Sequence, residues 1–470
     1  MSEPLWTARQ AMAATGGELV GGTDWTCNGV SIDTRSLVPG DLFVALKDVR
    51  DGHDFVPDAM ARGAAASLVE RADAGPGNAL KTLDSLDALR ALGAAARDRS
   101  DAIRVAVTGS VGKTSVKEAI AAVFRAMGPA HWSVKSYNNH WGVPLTLARM
   151  PAKTERAVFE LGMNHAGEIR DLVALVQPHV AMITRIAPAH LENLGSMEAI
   201  ADAKSEIFEG LELDGVAIYP GDDDFAARLA KHAQQSCAAF LLEFGIEKAA
   251  AIRVESFETG VEGSRGIVDV LGVRVPFHLA ASGAHWAWNV GAIFAACAGA
   301  GLDAKNVAEA LAGVDAERGR GQAVTVELPG GGHFTLLDDA YNANPTSMRA
   351  AISSLGAIKP GAGGRRIAVL GEMFELGPTS QELHAGLAAP LLDANIDHVY
   401  TSGALMKALH DALPSAMQAG YARDAAGVLE MIKTAIEPGD VVMLKGSNAS
   451  GLHRVAAVLA DGSAFDLTEA

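Results

Sequence analysis

The sequence predicts an α/β protein made of several compact units. Its 470 residues are enough for two to four domains of about 100 to 200 residues each. From residue 103 onward, buried apolar runs alternate with helix-like segments, which is the pattern of a doubly wound parallel sheet. A balance of 49% apolar and 20% charged residues is typical of globular proteins and excludes a mostly disordered chain.

Residues 1–102 are expected to form a first, small α/β unit. Its elements are predicted from apolar runs, turn residues and helical periodicity. In chain order they are a strand at 29–33, a turn at 39–41, strands at 42–46 and 66–70 with a helix at 58–66 between them, and a bridging helix at 84–99.

Residues 103–317 are expected to form the central unit, with a parallel sheet. Its predicted elements are strands at 103–108, 156–161, 180–186 and 215–220, a helix at 115–127, a strand-rich stretch at 251–279 and a helix from about His285. The glycines and arginines at 318–321 favour a hinge between domains.

Residues 318–470 repeat the alternation of strand and helix and are expected to form a third unit. Apolar runs predict its strands at 333–338, 366–370, 398–401 and 441–445.

Charge and cysteine content narrow the function. The 39 basic and 56 acidic residues give a net charge of −17, which argues against nucleic acid as the main partner. The scattered Cys27, Cys237 and Cys297 lack metal-ligand spacing and fit a reducing cytoplasm. The N-terminus has no signal-peptide pattern, and the apolar stretch 290–302 is too short to span a membrane. We expect a cytoplasmic protein that acts as a monomer.

The sharpest motif is Gly109-Ser110-Val111-Gly112-Lys113-Thr114-Ser115, between a buried strand and a helix. Its glycines allow a tight turn whose N–H groups face an anion, Lys113 can reach terminal phosphates and Thr114 can bind Mg²⁺. The usual first glycine of such a loop is replaced by Val107, so this is a shortened variant. The alternative is a glycine-rich turn with an exposed lysine.

Other polar residues follow strands or fall on helices. Glu160, at a strand end, can reach Mg²⁺ above the phosphate loop, or it is a solvated loop residue. His190 and Lys204, taken alone, are more often a structural histidine and a surface lysine. His285 and Asn289 share a helix face and could meet a base or merely pack.

Several further segments, taken in order, complete a pattern that covers nearly the whole chain. They are Asp33-Thr34-Arg35, residues 39–47 and 51–55, Tyr137-Asn138-Asn139, Gly142-Val143-Pro144, Glu168-Ile169, residues 189–192 and 203–208, residues 338–345, and Gly371-Glu372-Met373-Phe374-Glu375-Leu376-Gly377. With the phosphate loop, this series resembles the Mur ligases, which form amide bonds with ATP during peptidoglycan synthesis.

The resemblance implies three domains: one for the UDP end of the substrate, a central one with a P-loop parallel sheet for ATP, and a Rossmann-like C-terminal one. Catalytic roles would fall to Lys113, His190 and Lys204, and Lys204 matches a lysine that the family can carbamylate. Two Mg²⁺ sites would use Thr114, Glu160, His190 and Lys204. ATP would be bound by Gly109, Ser110, Gly112, Lys113, Thr114, Ser115, Asn289, Arg320 and Asp339. The substrates would be bound by Ser31, Asp33, Thr34, Arg35, Lys47, Asn138, Asn139, Tyr341, Asn342, Asn344 and Ser447.

Within the family, the resemblance is greatest to members that join D-alanyl-D-alanine to UDP-N-acetylmuramoyl-tripeptide. That reaction runs through an acyl phosphate and serves cell-wall formation, cell shape and division. Two residues depart from the family pattern, Trp286 where Asn is usual and Asn448 where Arg is usual. Rival interpretations are a ligase for another stem amino acid, a folate polyglutamylating ligase and a regulatory P-loop NTPase.

Overall fold

The structure is a computed structural model that describes residues 3–71, 75–134, 136–247, 250–260, 263–314 and 319–465. Within these ranges the chain folds into three α/β units, each built on its own sheet. Each sheet lies inside one of the three ranges expected from the sequence. The boundary at 317/318 and Arg318 of the expected hinge lie outside the described residues, and both boundaries stay predictions.

The N-terminal unit holds a mainly parallel sheet in the order β2-β7-β6-β5-β4, with a separate β1-β3 pair. Its strands are β1 (Trp6–Thr7), β2 (Glu18–Val20), β3 (Thr26–Cys27), β4 (Gly29–Ser31), β5 (Asp41–Val44), β6 (Ala66–Val69) and β7 (Ala79–Lys81), and its helices are α1 (Ala8–Thr15), α2 (Val56–Ala61) and α3 (Ser85–Asp98). The helix α2 is shorter than expected because the chain turns at Gly63, which has a φ of +92°.

The central unit holds a larger sheet in the order β16-β15-β14-β13-β12-β11-β8-β10-β9. Its strands are β8 (Ile103–Thr108), β9 (Ala130–Trp132), β10 (Arg156–Glu160), β11 (Val180–Ile183), β12 (Val216–Pro220), β13 (Phe240–Gly245), β14 (Ile252–Gly260), β15 (Gly263–Val270) and β16 (Val273–Leu279). Its helices are α4 (Lys113–Met127), α5 (Gly142–Ala148), α6 (Glu168–Val176), α7 (Leu191–Leu194), α8 (Met197–Ser205), α9 (Ala226–Gln234), α10 (Trp286–Gly299) and α11 (Ala304–Leu311).

Strand β8 lies at the switch point of this sheet, flanked in parallel by β10 on one side and β11 on the other. The carboxyl ends of these strands therefore open onto one crevice, where ligands bind in doubly wound folds. Strand β11 ends at Ile183 and not at 186, because its partner β8 ends at Thr108, opposite Ile183. The Thr184 N–H donates to the Thr108 carbonyl at 2.8 Å, and the Thr184 hydroxyl donates to the Val111 carbonyl of the phosphate loop at 2.6 Å. The position of the crevice is therefore set by the strand order, in which β8 lies between β10 and β11.

Helix α5 belongs to the central unit by sequence but completes the core of the N-terminal unit. Its Leu145 and Ala148 are fully buried together with Trp6 and the apolar face of α3. The Trp6 indole Nε1 donates a hydrogen bond to the Ala148 carbonyl at 2.9 Å, and the Arg99 guanidinium stacks on the Trp6 ring at 3.8 Å. The two units therefore share one apolar core.

The C-terminal unit holds a sheet in the order β17-β18-β22-β19-β20-β21, parallel except for β17. Its strands are β17 (Gln322–Glu327), β18 (His333–Asp339), β19 (Arg366–Gly371), β20 (His398–Ser402), β21 (Gln418–Ala422) and β22 (Val441–Lys445), and its helices are α12 (Pro345–Ala357), α13 (Ser380–Ala385), α14 (Ala388–Asp393), α15 (Lys407–Ala412), α16 (Ala425–Ile432) and α17 (Leu452–Ala460). Apolar clusters cover both faces of this sheet. The sheet is thus buried between helical layers, as expected of a Rossmann-like domain.

Two chemical features of the whole chain complete the description. Cys27, Cys237 and Cys297 are free thiols. Among the described residues, no helix is both long enough and apolar enough to cross a bilayer.

Candidate active site

A cavity of about 340 Å³ lies between the carboxyl ends of the central and C-terminal sheets. Most of the residues that the sequence assigns to ATP, metal or catalysis line it. They are Ser110, Gly112, Lys113, Thr114, Ser115, Glu160, His190, Lys204, Asn289, Arg320 and Asp339, joined by Asn138, Tyr341, Asn342 and Asn344 from the expected substrate contacts. Residues up to 335 positions apart in the chain, from Ser110 to Lys445, therefore meet in one site.

The phosphate loop needs its glycines for backbone shape and for space. Gly109 has a φ of +146°, and a Cβ there would come within 1.9 Å of the Thr184 Oγ1. Gly112 has a φ of +82°, and a Cβ would lie 2.8 Å from the Asn289 Oδ1. Lys113 Nζ donates a hydrogen bond to the Gly109 carbonyl at 2.7 Å, which folds the lysine back over the loop. The loop geometry supports an anion site and not a simple turn.

The Glu160 carboxylate is buried at the end of β10, with only 1% of the residue exposed. Thr114 Oγ1 donates to its Oε2 at 2.8 Å, and Asn138 Nδ2 donates to its Oε1 at 2.7 Å. Burial excludes the solvated loop position that the sequence left open for Glu160. A buried carboxylate beside a hydroxyl forms a compact set of oxygen donors at the mouth of the phosphate loop.

Lys204 is 1% exposed, which excludes the surface lysine that the sequence alone would favour. Burial lowers the pKa of Lys204 well below its ordinary value, and the charge of Lys113 lowers it further. Burial also lowers the pKa of Lys113, opposed by the Glu160 carboxylate. Within the described part of the chain, no carboxylate forms an ion pair with Lys204.

His190 lies at the start of α7 with its ring at the cavity wall. Its Nδ1 is 2.5 Å from the Glu375 Oε2 of the C-terminal unit. Burial lowers the pKa of His190; Glu375 opposes this shift, whereas Lys204 and Lys113 add to it. A neutral imidazole is the form that binds a metal ion.

The C-terminal unit closes the cavity with a second polar wall. Arg320 lies over the Tyr341 ring at 4.4 Å, and Arg320 Nη2 and the Tyr341 hydroxyl donate to the Ser136 Oγ at 3.3 and 3.0 Å. Lys445 Nζ donates to the Asp339 Oδ2 at 2.8 Å. The contacts with Ser136 hold the Arg320 guanidinium of the C-terminal unit against the central unit.

Helix α10 supplies the remaining wall. Asn289 Nδ2 is buried without a hydrogen-bond partner within the described residues, and the same is true of the Ser110 Oγ. The Arg185 guanidinium lies 4.3 Å from the Trp288 ring beside them. Buried polar atoms without partners are rare, and here they face a cavity, so a polar ligand is the expected partner.

A second cleft lies in the N-terminal unit. Asp33, Thr34 and Arg35 line it, with the aromatic rings of Phe55 and Tyr137. Arg35 Nη2 forms an ion pair with the Asp33 Oδ2 at 2.6 Å, and its side chain is 83% exposed. This cleft offers a charged and aromatic surface apart from the phosphate loop.

Some expected site residues line neither cavity. Gly109 packs against the Thr184 side chain. The buried Ser31 hydroxyl donates a hydrogen bond to the Asp33 carbonyl, and Lys47 forms an ion pair with Glu70. Asn139 Oδ1 accepts hydrogen bonds from the N–H groups of residues 141 and 142 at the start of α5. Ser447 Oγ accepts a hydrogen bond from the Phe374 N–H at 3.3 Å.

The two departures from the family pattern lie outside the cavity wall. Trp286 is 2% exposed and packs in the core of the central unit, while its neighbour His285 lines the cavity. Asn448 is exposed in a short 3₁₀ turn, Asn448–Ser450. Neither position changes the phosphate loop.

Several residues that line the cavity carry no functional prediction from the sequence. They are Ser136, Asn164, Thr184, Arg185, Trp288, Ser347 and Lys445. Lys445 could have been found, because it ends a predicted strand that pairs in parallel with β18, opposite Asp339. Ser136 carries no such signal, since it lies in a loop far from its partners in the chain.

Three protein-family models match this chain. The Mur ligase middle domain matches residues 107–297, the glutamate ligase domain of Mur ligases matches 319–448, and the Mur ligase catalytic domain model matches 26–127. The UDP-N-acetylmuramoyl-tripeptide–D-alanyl-D-alanine ligase of Escherichia coli is 36% identical over 466 residues, covering 96% of this chain and 98% of that enzyme. The chain belongs to the Mur ligase family.

Other relatives of this Mur ligase carry the same name. The enzyme of Rickettsia prowazekii is 31% identical over 96% of this chain and 99% of its own. A crystal structure of MurF from Acinetobacter baumannii superposes with a TM-score of 0.84 at 29% identity, covering 98% of this chain and 99% of that one. MurF of Thermotoga maritima, solved in complex with ADP, gives a TM-score of 0.76 at 25% identity, covering 92% and 97%.

Proposed function

We propose that this Mur ligase uses ATP to join D-alanyl-D-alanine to UDP-N-acetylmuramoyl-tripeptide in the synthesis of peptidoglycan precursors. The observation that carries the proposal is the pairing of a phosphate-loop cavity with a separate N-terminal cleft in a chain that aligns over almost its full length with enzymes of that name. The N-terminal cleft argues against the alternative of a regulatory P-loop NTPase, because such a protein needs no second substrate site.

The cavity between the central and C-terminal units is the ATP site. Phosphates would rest on the N–H groups of the loop and the start of α4, where the helix dipole favours an anion. Lys113 would leave the Gly109 carbonyl and neutralise the γ-phosphate. Ser110 Oγ and Asn289 Nδ2, which lack partners, supply free polar atoms for the nucleotide.

The donors beside the phosphate loop fit Mg²⁺. Thr114 and Glu160 offer oxygen ligands, and His190 would contribute to a second site. No three His, Cys, Asp or Glu side chains of the described residues form a complete metal set, which suits Mg²⁺ because it usually takes one or two carboxylates and completes its shell with phosphates and water. When bound, Mg²⁺ neutralises the phosphate charge during transfer.

Lys204 is proposed to be carbamylated. The neutral amine attacks CO₂, an N–C bond forms and one proton leaves the nitrogen, which gives an anionic carbamate. Burial and the nearby Lys113 favour the neutral amine that this reaction needs. The product would turn a buried amine into an anionic oxygen ligand beside the second metal site.

The substrates are proposed to meet at the γ-phosphate. The UDP end would bind in the cleft at Asp33, Thr34 and Arg35, with the peptide running past Asn138 toward the loop. A carboxylate oxygen attacks the γ-phosphorus and ADP departs, giving an acyl phosphate. The amine of D-alanyl-D-alanine then attacks the acyl carbon, phosphate leaves and the nitrogen loses a proton. Holding the reactants in line and excluding water are the main tasks of the chain.

The deciding experiment is an ATP-dependent phosphate-release assay with a panel of UDP-muramoyl-peptides, each with and without D-alanyl-D-alanine. The panel includes tripeptides ending in lysine or 2,6-diaminopimelate, and the dipeptide substrate of an earlier ligase. The dipeptide substrate is also assayed with lysine or 2,6-diaminopimelate as a single amino acid. We expect release only when a tripeptide and D-alanyl-D-alanine are both present. Release from the dipeptide substrate with a single amino acid would assign another step, and release without any acceptor would favour an NTPase. Cytoplasmic location and a monomeric state stay predictions from the sequence.

A further inference from the structure

The motif at residues 371–377 belongs to the family pattern, but the proposed function assigns no role to it. It follows β19 and reaches from the C-terminal unit to α7 of the central unit. The Glu375 Oε2 lies 2.5 Å from the His190 Nδ1, and the Glu192 N–H donates to the Glu375 carbonyl at 3.4 Å. Gly377 lies against the backbone of Glu192. The motif therefore bridges the two units beside the cavity.

The C-terminal unit holds this motif firmly. The Ser447 N–H donates to the Glu372 carbonyl at 3.0 Å, and the Phe374 N–H donates to the Ser447 Oγ at 3.3 Å. The Glu372 side chain accepts a hydrogen bond from the Leu405 N–H at 2.9 Å. Since its neighbours are fixed on the sheet, Glu375 moves with the C-terminal unit.

Both members of the bridging pair have an unusual backbone. His190 has a φ of +58° and Glu375 a φ of +62°, in the left-handed region that residues other than glycine rarely adopt. Such conformations persist only where the surroundings enforce them, and they concentrate at functional sites. Because these two strained residues contact each other, we infer that the backbone at both positions is constrained by the His190–Glu375 contact.

We propose that Glu375 is a positioning residue for His190, delivered by the C-terminal unit. In this structure the 2.5 Å contact is an ion pair without hydrogen-bond geometry, because the His190 Nδ1 has no hydrogen-bond partner among the described residues. A small rotation of the carboxylate lets it accept the Nδ1–H, which fixes the tautomer and leaves Nε2 as the nitrogen with a free lone pair. A histidine that binds a metal generally donates its other ring N–H to a carboxylate or carbonyl. This proposal rests on the proposed role of His190 as a metal ligand. If Glu375 orients His190, the second metal site is complete only when the C-terminal unit is docked on the central unit.

The test compares Glu375→Ala and Glu375→Gln with a matched control, Glu382→Ala. Glu382 is an exposed carboxylate on α13 of the same unit. The amide oxygen of glutamine can still accept the Nδ1–H, so Glu375→Gln should retain most of the function. Loss of a carboxylate that orients a metal ligand typically costs about 10- to 100-fold. We expect Glu375→Ala to lower kcat by that factor with the KM for ATP unchanged within about twofold, and Glu382→Ala to match the parent.

The second readout needs neither metal nor turnover. Histidine labelled with ¹⁵N reports the tautomer of each ring in the ligand-free protein, and loss of one signal in His190→Gln assigns His190. We expect a fixed Nδ1–H tautomer in the parent and in Glu375→Gln, and a mixture in Glu375→Ala. An unchanged His190 signal in Glu375→Ala would overturn the pairing, as would a parental kcat. If the parent is not a ligase, the proposed function fails, while the tautomer measurement still decides the pairing.

Discussion

The nucleotide cavity and the N-terminal cleft differ in how their charged groups are held. In the cavity, Glu160 and Lys204 are each 1% exposed, and the Glu160 carboxylate accepts hydrogen bonds from Thr114 and Asn138. In the cleft, Arg35 is mostly exposed and its main partner is Asp33, two residues away. Buried groups act strongly on a reacting phosphate because water does not screen them, whereas exposed pairs contribute little until a ligand covers them. We therefore expect the cavity to carry the chemistry and the cleft to serve substrate recognition.

The largest effect should come from Lys113→Ala, in the cavity. The loop backbone would still fold, but the γ-phosphate would lose its neutralising cation, so we expect ligation to fall by at least about 10²- to 10³-fold. Phosphate release with both substrates measures the effect. The control is Lys153→Ala, an exposed lysine of the same unit. Turnover within about tenfold of the parent would refute the assignment of the loop.

Lys204→Ala should be nearly as damaging, because the carbamate oxygens would be lost from the second metal site. A small carboxylate such as acetate or formate should restore part of the activity by occupying the vacated space. Lys231→Ala, on the exposed face of α9, should show neither the loss nor the rescue. Ordinary activity in Lys204→Ala would discard the carbamate, and loss without rescue would leave Lys204 only a role in shaping the cavity.

The fold and the phosphate loop are the parts that the sequence predicted best. Buried parallel strands such as β8 and β10 carry short apolar runs, at 105–107 and 157–159, and the glycine spacing of the loop is a local pattern. Strands β13, β17 and β21 were not predicted individually. Strand β21 consists of Gln, Ala, Gly, Tyr and Ala, which has weak strand propensity and depends on β20 for its pairing.

The cavity wall was harder to predict, because it is made of contacts between distant segments. Ser136 meets Arg320 and Tyr341 across 184 and 205 residues. Asn344 was expected at the substrate, and it does line the cavity, but its side chain also accepts a hydrogen bond from the Ser347 N–H as the N-cap of α12. A linear pattern identifies such residue types without telling which neighbour each will meet.

In the cleft, Arg35→Ala should have a moderate and selective effect. The side chain is exposed, so water screens its contact with an anionic substrate and the contact is weak. We expect the KM for the UDP-linked substrate to rise about 3- to 10-fold, with kcat and the KM for ATP unchanged. Arg62→Ala breaks another exposed pair of the same unit, with Asp58, and should leave every constant as in the parent. A change in kcat for Arg35→Ala would contradict the separation of chemistry from recognition.

The smallest effect is expected for Ser136→Ala, on the rim of the cavity. Its hydroxyl accepts hydrogen bonds from Arg320 and Tyr341, each worth about 0.5–1.5 kcal/mol. Arg320 and Tyr341 would remain stacked, so we expect the KM for ATP to rise only about 2- to 5-fold. Ser136→Thr, which keeps the hydroxyl, should recover most of the loss. A loss as large as that of Lys113→Ala would place Ser136 among the reacting groups.

The core shared by α5 and the N-terminal unit limits how the N-terminal unit could be replaced by that of another ligase. A cut at the end of α3 would leave Trp6 without the Ala148 carbonyl and would strip Leu145 from the apolar face that it covers. We therefore expect that recombination at the sequence boundary of the N-terminal unit would not give a stable exchange of this unit. A productive graft from another ligase would have to carry its own counterpart of residues 142–148, although that helix lies well inside the catalytic unit.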